Sequence, residues 1–221
     1  MKKKISPDSI KLIKYYKLIN YNLIYNNKAI NRYKKDNFEI SGDKSEKLKK
    51  LKNSIFNIQN CELKKNATKI VFADGNPKAK IMLIGEGPGS NEDQEGLPFV
   101  GRAGALLDKM LASIDLNRKN VYITNVVNYR PPENRRPTEE EIAKYLPYLK
   151  KHIEIINPKI LILLGSTALN ALIGNEVVIS KARGKWIEKQ FGKCKVSIIV
   201  TFHPAFLMRQ PGQKKLAWID L

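Results

Sequence analysis

The feature that most constrains this chain is a glycine-rich turn directly after an apolar run. Residues 81–84 read Ile-Met-Leu-Ile, as a buried strand does, and residues 85–89 read Gly-Glu-Gly-Pro-Gly. Open α/β folds bind ligands at the carboxyl ends of their strands, where a turn of small residues exposes backbone groups. The turn therefore predicts a pocket that includes Gly85, Glu86 and Gly87.

Two later apolar runs carry polar residues at their ends. Asn125 lies within the β-rich run 121–127, and His203 follows the run 196–202 and precedes Pro204. The carboxyl ends of parallel strands meet at one edge of a sheet. We therefore expect Asn125 and His203 to join the same pocket.

Short apolar strands alternate with helical patterns along the rest of the chain. Thr138 and Glu141 form a capping-box pattern at the start of the longest predicted helix. Alternation of this kind predicts a three-layer α/β/α fold around a central four-stranded parallel sheet. The predicted strands are residues 81–84, 121–127, 159–164 and 196–202, after a strand end and turn at 71–77; the predicted helices are 45–56, 103–114, 138–155 and 166–173.

A chain of 221 residues has room for one principal domain. We assign residues 1–43 to a basic N-terminal helix and linker, and residues 44–221 to the main domain. The helix is expected at residues 10–24, where three lysines interrupt the apolar pattern and exclude a membrane span.

The charge of the chain narrows the class of partner. Lysine and arginine number 40 against 21 acidic residues, which gives a net charge of +19. A positive field favours binding to a polyanion, and nucleic acid is the leading candidate for that partner. Compositional drift toward lysine is the alternative reading of the same numbers.

The two cysteines, Cys61 and Cys194, are too few for a disulfide framework or a four-thiolate metal site. The sequence also has no uninterrupted apolar stretch of the signal-peptide kind. We expect a cytoplasmic protein that acts as a monomer.

Three separate blocks resemble the uracil-DNA glycosylase superfamily, in particular its thermostable family 4 branch. The blocks are residues 81–104, residues 123–127 followed by Arg130-Pro131-Pro132, and His203-Pro204-Ala205 with Arg209. They stand in the family's order with compatible spacing, and the similarity runs from about residue 55 to the end. The resemblance implies a DNA repair enzyme that flips uracil out of DNA and hydrolyses its N-glycosidic bond.

The resemblance also assigns roles to side chains in the pocket. Asn125 would read the base edge, because its carboxamide matches O4 and N3–H of uracil whereas cytosine presents the opposite pattern. His203 would donate to uracil O2, Phe99 would stack on the flipped ring, and Glu92 would crowd the C5 side against thymine.

The most familiar uracil glycosylases carry an aspartate that positions the attacking water where this chain has Gly87. The resemblance therefore implies catalysis that relies on stabilising the departing uracil, with Glu86 or a backbone carbonyl holding the water.

Basic residues near the same edge are candidates for contacts with DNA. Residues 205–207 would form an apolar wedge in the minor groove, with cations after it on the phosphates. A helix start with a solvated basic face is the alternative. The predicted DNA contacts are Arg130, Arg183, Arg209, Lys214 and Lys215, with Arg135 and Arg136 in the loop after Arg130.

Family 4 proteins usually hold a 4Fe-4S cluster through four cysteines. The matching positions here are Ile58, Cys61, Tyr129 and Tyr145. One thiolate cannot hold the cluster, so we expect a protein without iron and without another cofactor. A non-catalytic relative that binds uracil-containing or single-stranded DNA is the alternative function.

Overall fold

The computed structural model describes residues 42–221, so the helix predicted at residues 10–24 lies outside the described residues. The predicted domain boundary after residue 43 stays a prediction. Within the described range the strands are β1 (Asp74–Gly75), β2 (Ile81–Gly85), β3 (Tyr122–Asn125), β4 (Ile160–Leu164), β5 (Ile187–Phe191) and β6 (Cys194–Thr201). The α-helices are α1 (Lys44–Phe56), α2 (Glu62–Asn66), α3 (Ser90–Glu95), α4 (Arg102–Ala112), α5 (Glu139–Ile156), α6 (Ser166–Leu172), α7 (Ile179–Ala182), α8 (Pro204–Arg209) and α9 (Lys214–Asp220), with short 3-10 turns at Pro132–Asn134 and Pro211–Gln213.

These strands form one mixed sheet in the order β1-β3-β2-β4-β6-β5. The four central strands are parallel, as predicted, and the two edge strands β1 and β5 run antiparallel to their neighbours. The sequence analysis did not predict β5. Its three middle residues are polar, and only its last residue is buried, so it lacks the apolar run that marks the central strands.

Helices cover both faces of the sheet, which confirms the α/β/α architecture. Successive strand residues point to opposite faces, so Met82 and Ile84 join one apolar cluster while Leu83 joins the other. The first cluster includes residues of α1, α5 and α6, and the second includes Leu107 and Leu111 of α4.

The longest helix, α5, begins where the sequence predicts it. The Thr138 hydroxyl accepts the Glu141 N–H at 3.2 Å, and the Glu141 carboxylate accepts the Thr138 N–H at 2.8 Å. This reciprocal pair satisfies two backbone donors that a helix start leaves open. No helix within residues 42–221 is long and apolar enough to cross a membrane.

Strand register sets the position of the candidate site. Gly85 at the end of β2 pairs with Asn125 at the end of β3, and Leu164 at the end of β4 pairs with Thr201 at the end of β6. The four carboxyl ends therefore lie side by side, and His203 follows Thr201 by two residues.

Candidate active site

A cavity of about 470 Å³ opens at this edge of the sheet. The strand ends, the glycine turn and the starts of α6 and α8 form its wall. Of the residues predicted for the site, those lining the cavity are Glu86, Gly87, Glu92, Phe99, Asn125, Arg135, Arg136, His203 and Arg209, whereas Gly85 is not part of the lining. The structure thus brings together three blocks that are far apart in the sequence.

Asn125 carries the clearest mark of a binding group. The residue is 3% exposed, and its Oδ1 atom has no hydrogen-bond partner among the described residues. A buried polar atom without a partner costs about 1–3 kcal/mol, so its retention points to a ligand that completes the pairing.

Gly85 lies next to this carboxamide and, because it has no side chain, lets the Phe99 ring and the carboxamide approach its backbone closely. A Cβ atom at position 85 would lie 2.5 Å from Cζ of Phe99 and closer still to Oδ1 of Asn125. The bare backbone of Gly85 therefore lets an aromatic ring and a carboxamide meet at the end of β2.

Phe99 and His203 form an aromatic pair in the cavity wall. Their ring centroids are 5.6 Å apart, and the ring planes are inclined by 31°. Phe99 is buried, whereas His203 is partly exposed to the cavity. A flat ligand that contacts Asn125 would meet this pair.

The hydrogen bond of His203 defines its tautomer. Its Nδ1 atom accepts the backbone N–H of Ala205 at 3.2 Å, at the start of α8, so a neutral ring carries its proton on Nε2. Burial, and to a smaller extent the charge of Arg209, lower the pKa of His203 to about 4, while the charge of Glu92 acts in the opposite direction. His203 is thus a neutral ring with an N–H donor at pH 7.

Glu86 is held by a residue that the sequence analysis did not identify. The Thr167 hydroxyl, in the first turn of α6, donates to Oε2 of Glu86, and the exposed Arg136 guanidinium lies 3.9 Å from the same oxygen. The available signal was the position of Thr167 three residues after the end of β4, at the edge where a ligand was predicted.

Glu92 is engaged with the backbone around it. Its carboxylate accepts N–H groups of Gly89, Val100 and Gly101 at 3.1, 3.0 and 2.9 Å. These bonds join the glycine turn to the loop that carries Phe99. A role for Glu92 in excluding thymine stays a prediction.

The predicted DNA contacts fall into different environments. Arg209, Lys214 and Lys215 are exposed, and Arg209 lines the cavity. Arg130 is partly buried and donates to the side chain of Asn134 at 2.8 Å.

Arg183 does not join this group. Its guanidinium lies 2.6 Å from the buried carboxylate of Asp220, donates to the Leu216 carbonyl and lies over the Phe202 ring. Arg183 does not line the cavity. These contacts anchor α9, and a contact of Arg183 with DNA stays a prediction that this geometry does not support.

The fold and cavity define an α/β protein with a binding cavity at the carboxyl ends of its parallel strands, and the sequence comparisons identify the family. The profile of the uracil DNA glycosylase superfamily matches residues 72–221, and the chain belongs to this superfamily. It is 47% identical over 150 residues to the type-4 uracil-DNA glycosylase of Thermotoga maritima, covering 67% of this chain and 77% of that protein. Identity to the type-4 enzyme of Archaeoglobus fulgidus is 43% over 171 residues, covering 75% and 85%.

The four positions that match the family's cluster ligands lie in one apolar cluster. Cys61 Sγ and Tyr145 Oη are 3.2 Å apart, and Tyr129 Oη is buried without a hydrogen-bond partner in the described part of the chain. Burial and the neighbouring Cys61 raise the pKa of both tyrosines, so both stay neutral phenols. With Ile58 at the remaining position, this donor set does not fit a cluster that needs four thiolates.

Proposed function

We propose that this protein is a uracil-DNA glycosylase that hydrolyses the N-glycosidic bond of uracil in DNA. The observation that carries the proposal is the buried, unpaired Oδ1 of Asn125 in a cavity shared with Phe99 and His203. The type-4 uracil-DNA glycosylases named above support the same activity.

Asn125 supplies recognition of the base. Its free Oδ1 would accept N3–H of uracil, and its amide group would donate to O4. Cytosine offers an acceptor at N3 and a donor at C4, so both pairings would fail. Each unpaired polar group costs about 1–3 kcal/mol, so the loss of both hydrogen bonds gives a preference for uracil over cytosine of about a hundredfold or more. Phe99 would stack on the face of the ring.

His203 supplies stabilisation of the leaving group. As the C1′–N1 bond breaks, its electron pair passes to the uracil ring, and negative charge develops on O2. The Nε2–H of the neutral imidazole is a fixed donor for that charge. A donor of this kind contributes about 2.7–4 kcal/mol to the transition state.

Glu86 supplies the position of the water. With Oε2 held by Thr167, the other carboxylate oxygen would accept a proton of a water next to C1′. The water oxygen forms the new bond to C1′, and its proton passes to the carboxylate. Glu86 thereby takes the role that the missing aspartate at position 87 has in more familiar relatives.

Exposed cations would hold the DNA backbone. Arg209 stands at its rim, and Lys214 and Lys215 follow on α9. Ala205 and Phe206 line the cavity between His203 and Arg209, where a wedge would fill the gap left by a flipped nucleotide. Leu207 is buried, so we leave it out of the wedge.

Oligonucleotides with a single uracil test the proposal. The protein is incubated with single- and double-stranded forms, and alkali then cleaves any abasic site. We expect strand scission with the unchanged protein, almost none with Asn125→Ala and a reduction of about a hundredfold or more with His203→Ala. Tight binding of uracil-containing DNA without scission would support the non-catalytic alternative.

We further propose that the protein works without an iron-sulfur cluster. Anaerobically purified protein should contain no stoichiometric iron and no absorbance band near 400 nm. Stoichiometric iron in an active preparation would overturn this proposal. The mixed Cys61 and tyrosine environment described above is its support.

A monomer in the cytoplasm is the proposed working state. Both cysteines are free thiols and buried, as suits a reducing compartment. Sedimentation at micromolar concentration should give the mass of a single chain, and a stable dimer would contradict the proposal.

A further inference from the structure

Phe99 adopts a backbone conformation that a phenylalanine rarely takes. Its φ angle is +55°, in the left-handed region that disfavours side chains with a Cβ atom. Such conformations persist where the surroundings hold them, and they cluster at functional sites. Two features of the structure hold this one.

The first feature is the guanidinium of Arg118, in the loop between α4 and β3. It donates to the carbonyl of Pro98 at 3.1 Å and to the carbonyl of Phe99. Two carboxylates fix it in turn, because it lies 2.7 Å from Asp74 on β1 and 2.8 Å from Asp108 on α4. Burial opposes the charge of Arg118, but the hydrogen bonds and charges of Asp74 and Asp108 together raise its pKa, so the guanidinium is charged.

The second feature is the close packing of α4 against the same carbonyl. A Cβ atom at Gly104 would lie 2.9 Å from Phe99 Cα and would overlap the Phe99 carbonyl group. The Phe99 backbone is therefore held between the Gly104 backbone and the Arg118 guanidinium. Its ring lies close to Gly85 and contacts His203 in the cavity wall.

We propose that Arg118 is a positioning residue for uracil, which acts from outside the cavity by fixing the backbone of Phe99 so that its ring meets the flipped base. This inference rests on the function proposed above. Arg118 does not line the cavity, so any effect on the base must pass through the loop that it holds.

A double-mutant cycle between Arg118→Met and Phe99→Ala tests this role. Methionine keeps much of the apolar volume and removes every donor. In the otherwise unchanged protein we expect Arg118→Met to lower kcat/KM for uracil release by about 10- to 100-fold, because the stacking ring loses its position. In the Phe99→Ala background the same change should alter kcat/KM less than twofold.

Arg183→Met is the matched control, since it also removes a guanidinium paired with a carboxylate and a backbone carbonyl. Arg183→Met should change kcat/KM for uracil release by the same factor with and without Phe99→Ala. Urea unfolding of all variants reports stability separately from activity. Arg118→Lys keeps the positive charge and replaces Arg118→Met in the cycle if the methionine variant does not fold. Its effect on kcat/KM should likewise depend on the presence of Phe99.

The dissociation constant of free uracil gives a readout that does not require catalysis. It should rise with Arg118→Met only while Phe99 is present. If Arg118→Met weakened uracil binding and kcat/KM equally with and without Phe99, or changed neither in either background, the positioning role would be overturned. Absence of uracil release by the unchanged protein would instead count against the proposed function, while uracil binding still decides the role of Arg118.

Discussion

Substitution of Gly85 by alanine tests the geometry of the cavity most sharply. The added Cβ would lie 2.5 Å from Cζ of Phe99 and closer to Oδ1 of Asn125. Carbon atoms prefer a separation of about 3.5–4.0 Å, so the ring and the carboxamide would each have to move by about 1 Å. Both are groups that we propose to hold uracil.

A misplacement of about 1 Å costs roughly a hundredfold in rate. We therefore expect single-turnover uracil release by Gly85→Ala to be slower by about that factor. Overpacking at a buried position costs about 1–3 kcal/mol of unfolding free energy, so the protein should still fold.

Ile84→Val is the control for that loss of stability. Ile84 is fully buried next to Gly85 on β2, and removal of one methylene costs about 0.5–1.5 kcal/mol without adding an atom to the cavity. It should release uracil at nearly the unchanged rate. Uracil release by Gly85→Ala at the rate of Ile84→Val would refute the proposed cavity geometry.

Four further predictions concern single side chains. Thr167→Val should slow uracil release by about 10- to 100-fold through loss of the bond to Glu86, with recovery in Thr167→Ser; an unchanged rate in Thr167→Val would separate Glu86 from the chemistry. Nitrogen-15 NMR should show His203 protonated on Nε2 alone from pH 8 down to about pH 5, since its pKa is lowered to about 4; an imidazolium at pH 6 would contradict this. Burial lowers the pKa of His152 to about 3, so unfolded chains take up a proton first and stability should fall as pH drops below about 6.5, by up to about 1.4 kcal/mol per pH unit; His152→Gln should reduce that slope. Arg183→Met leaves the buried Asp220 carboxylate unpaired and should cost about 3–5 kcal/mol in urea unfolding, and a cost below 1 kcal/mol would show that the pair does not anchor α9.

The sequence predicted the fold well where local patterns and tertiary packing agree. The apolar runs of β2, β4 and β6 are buried, and the capping box of Thr138 and Glu141 forms as expected. Strand β5 was missed because Glu188, Lys189 and Gln190 give it little apolar character, and its place is fixed by pairing with β6.

The candidate site was predictable in its motif residues and not in the residues that hold them. Asn125, Phe99 and His203 follow from the glycine turn, the strand ends and the family resemblance. Thr167 and Arg118 act through contacts between segments 81 and 19 residues apart, which no local pattern encodes. Arg183 looked like a surface cation because its partner, Asp220, is brought to it only by the folded chain.

A crystal structure of the protein with uracil bound tests the central claim most directly. The account predicts one uracil in the cavity, with its N3–H and O4 paired to the Asn125 carboxamide, its face on the Phe99 ring and its O2 within hydrogen-bond distance of His203 Nε2. Uracil bound in the cavity with no contact to Asn125, or bound at another surface of the protein, would contradict it.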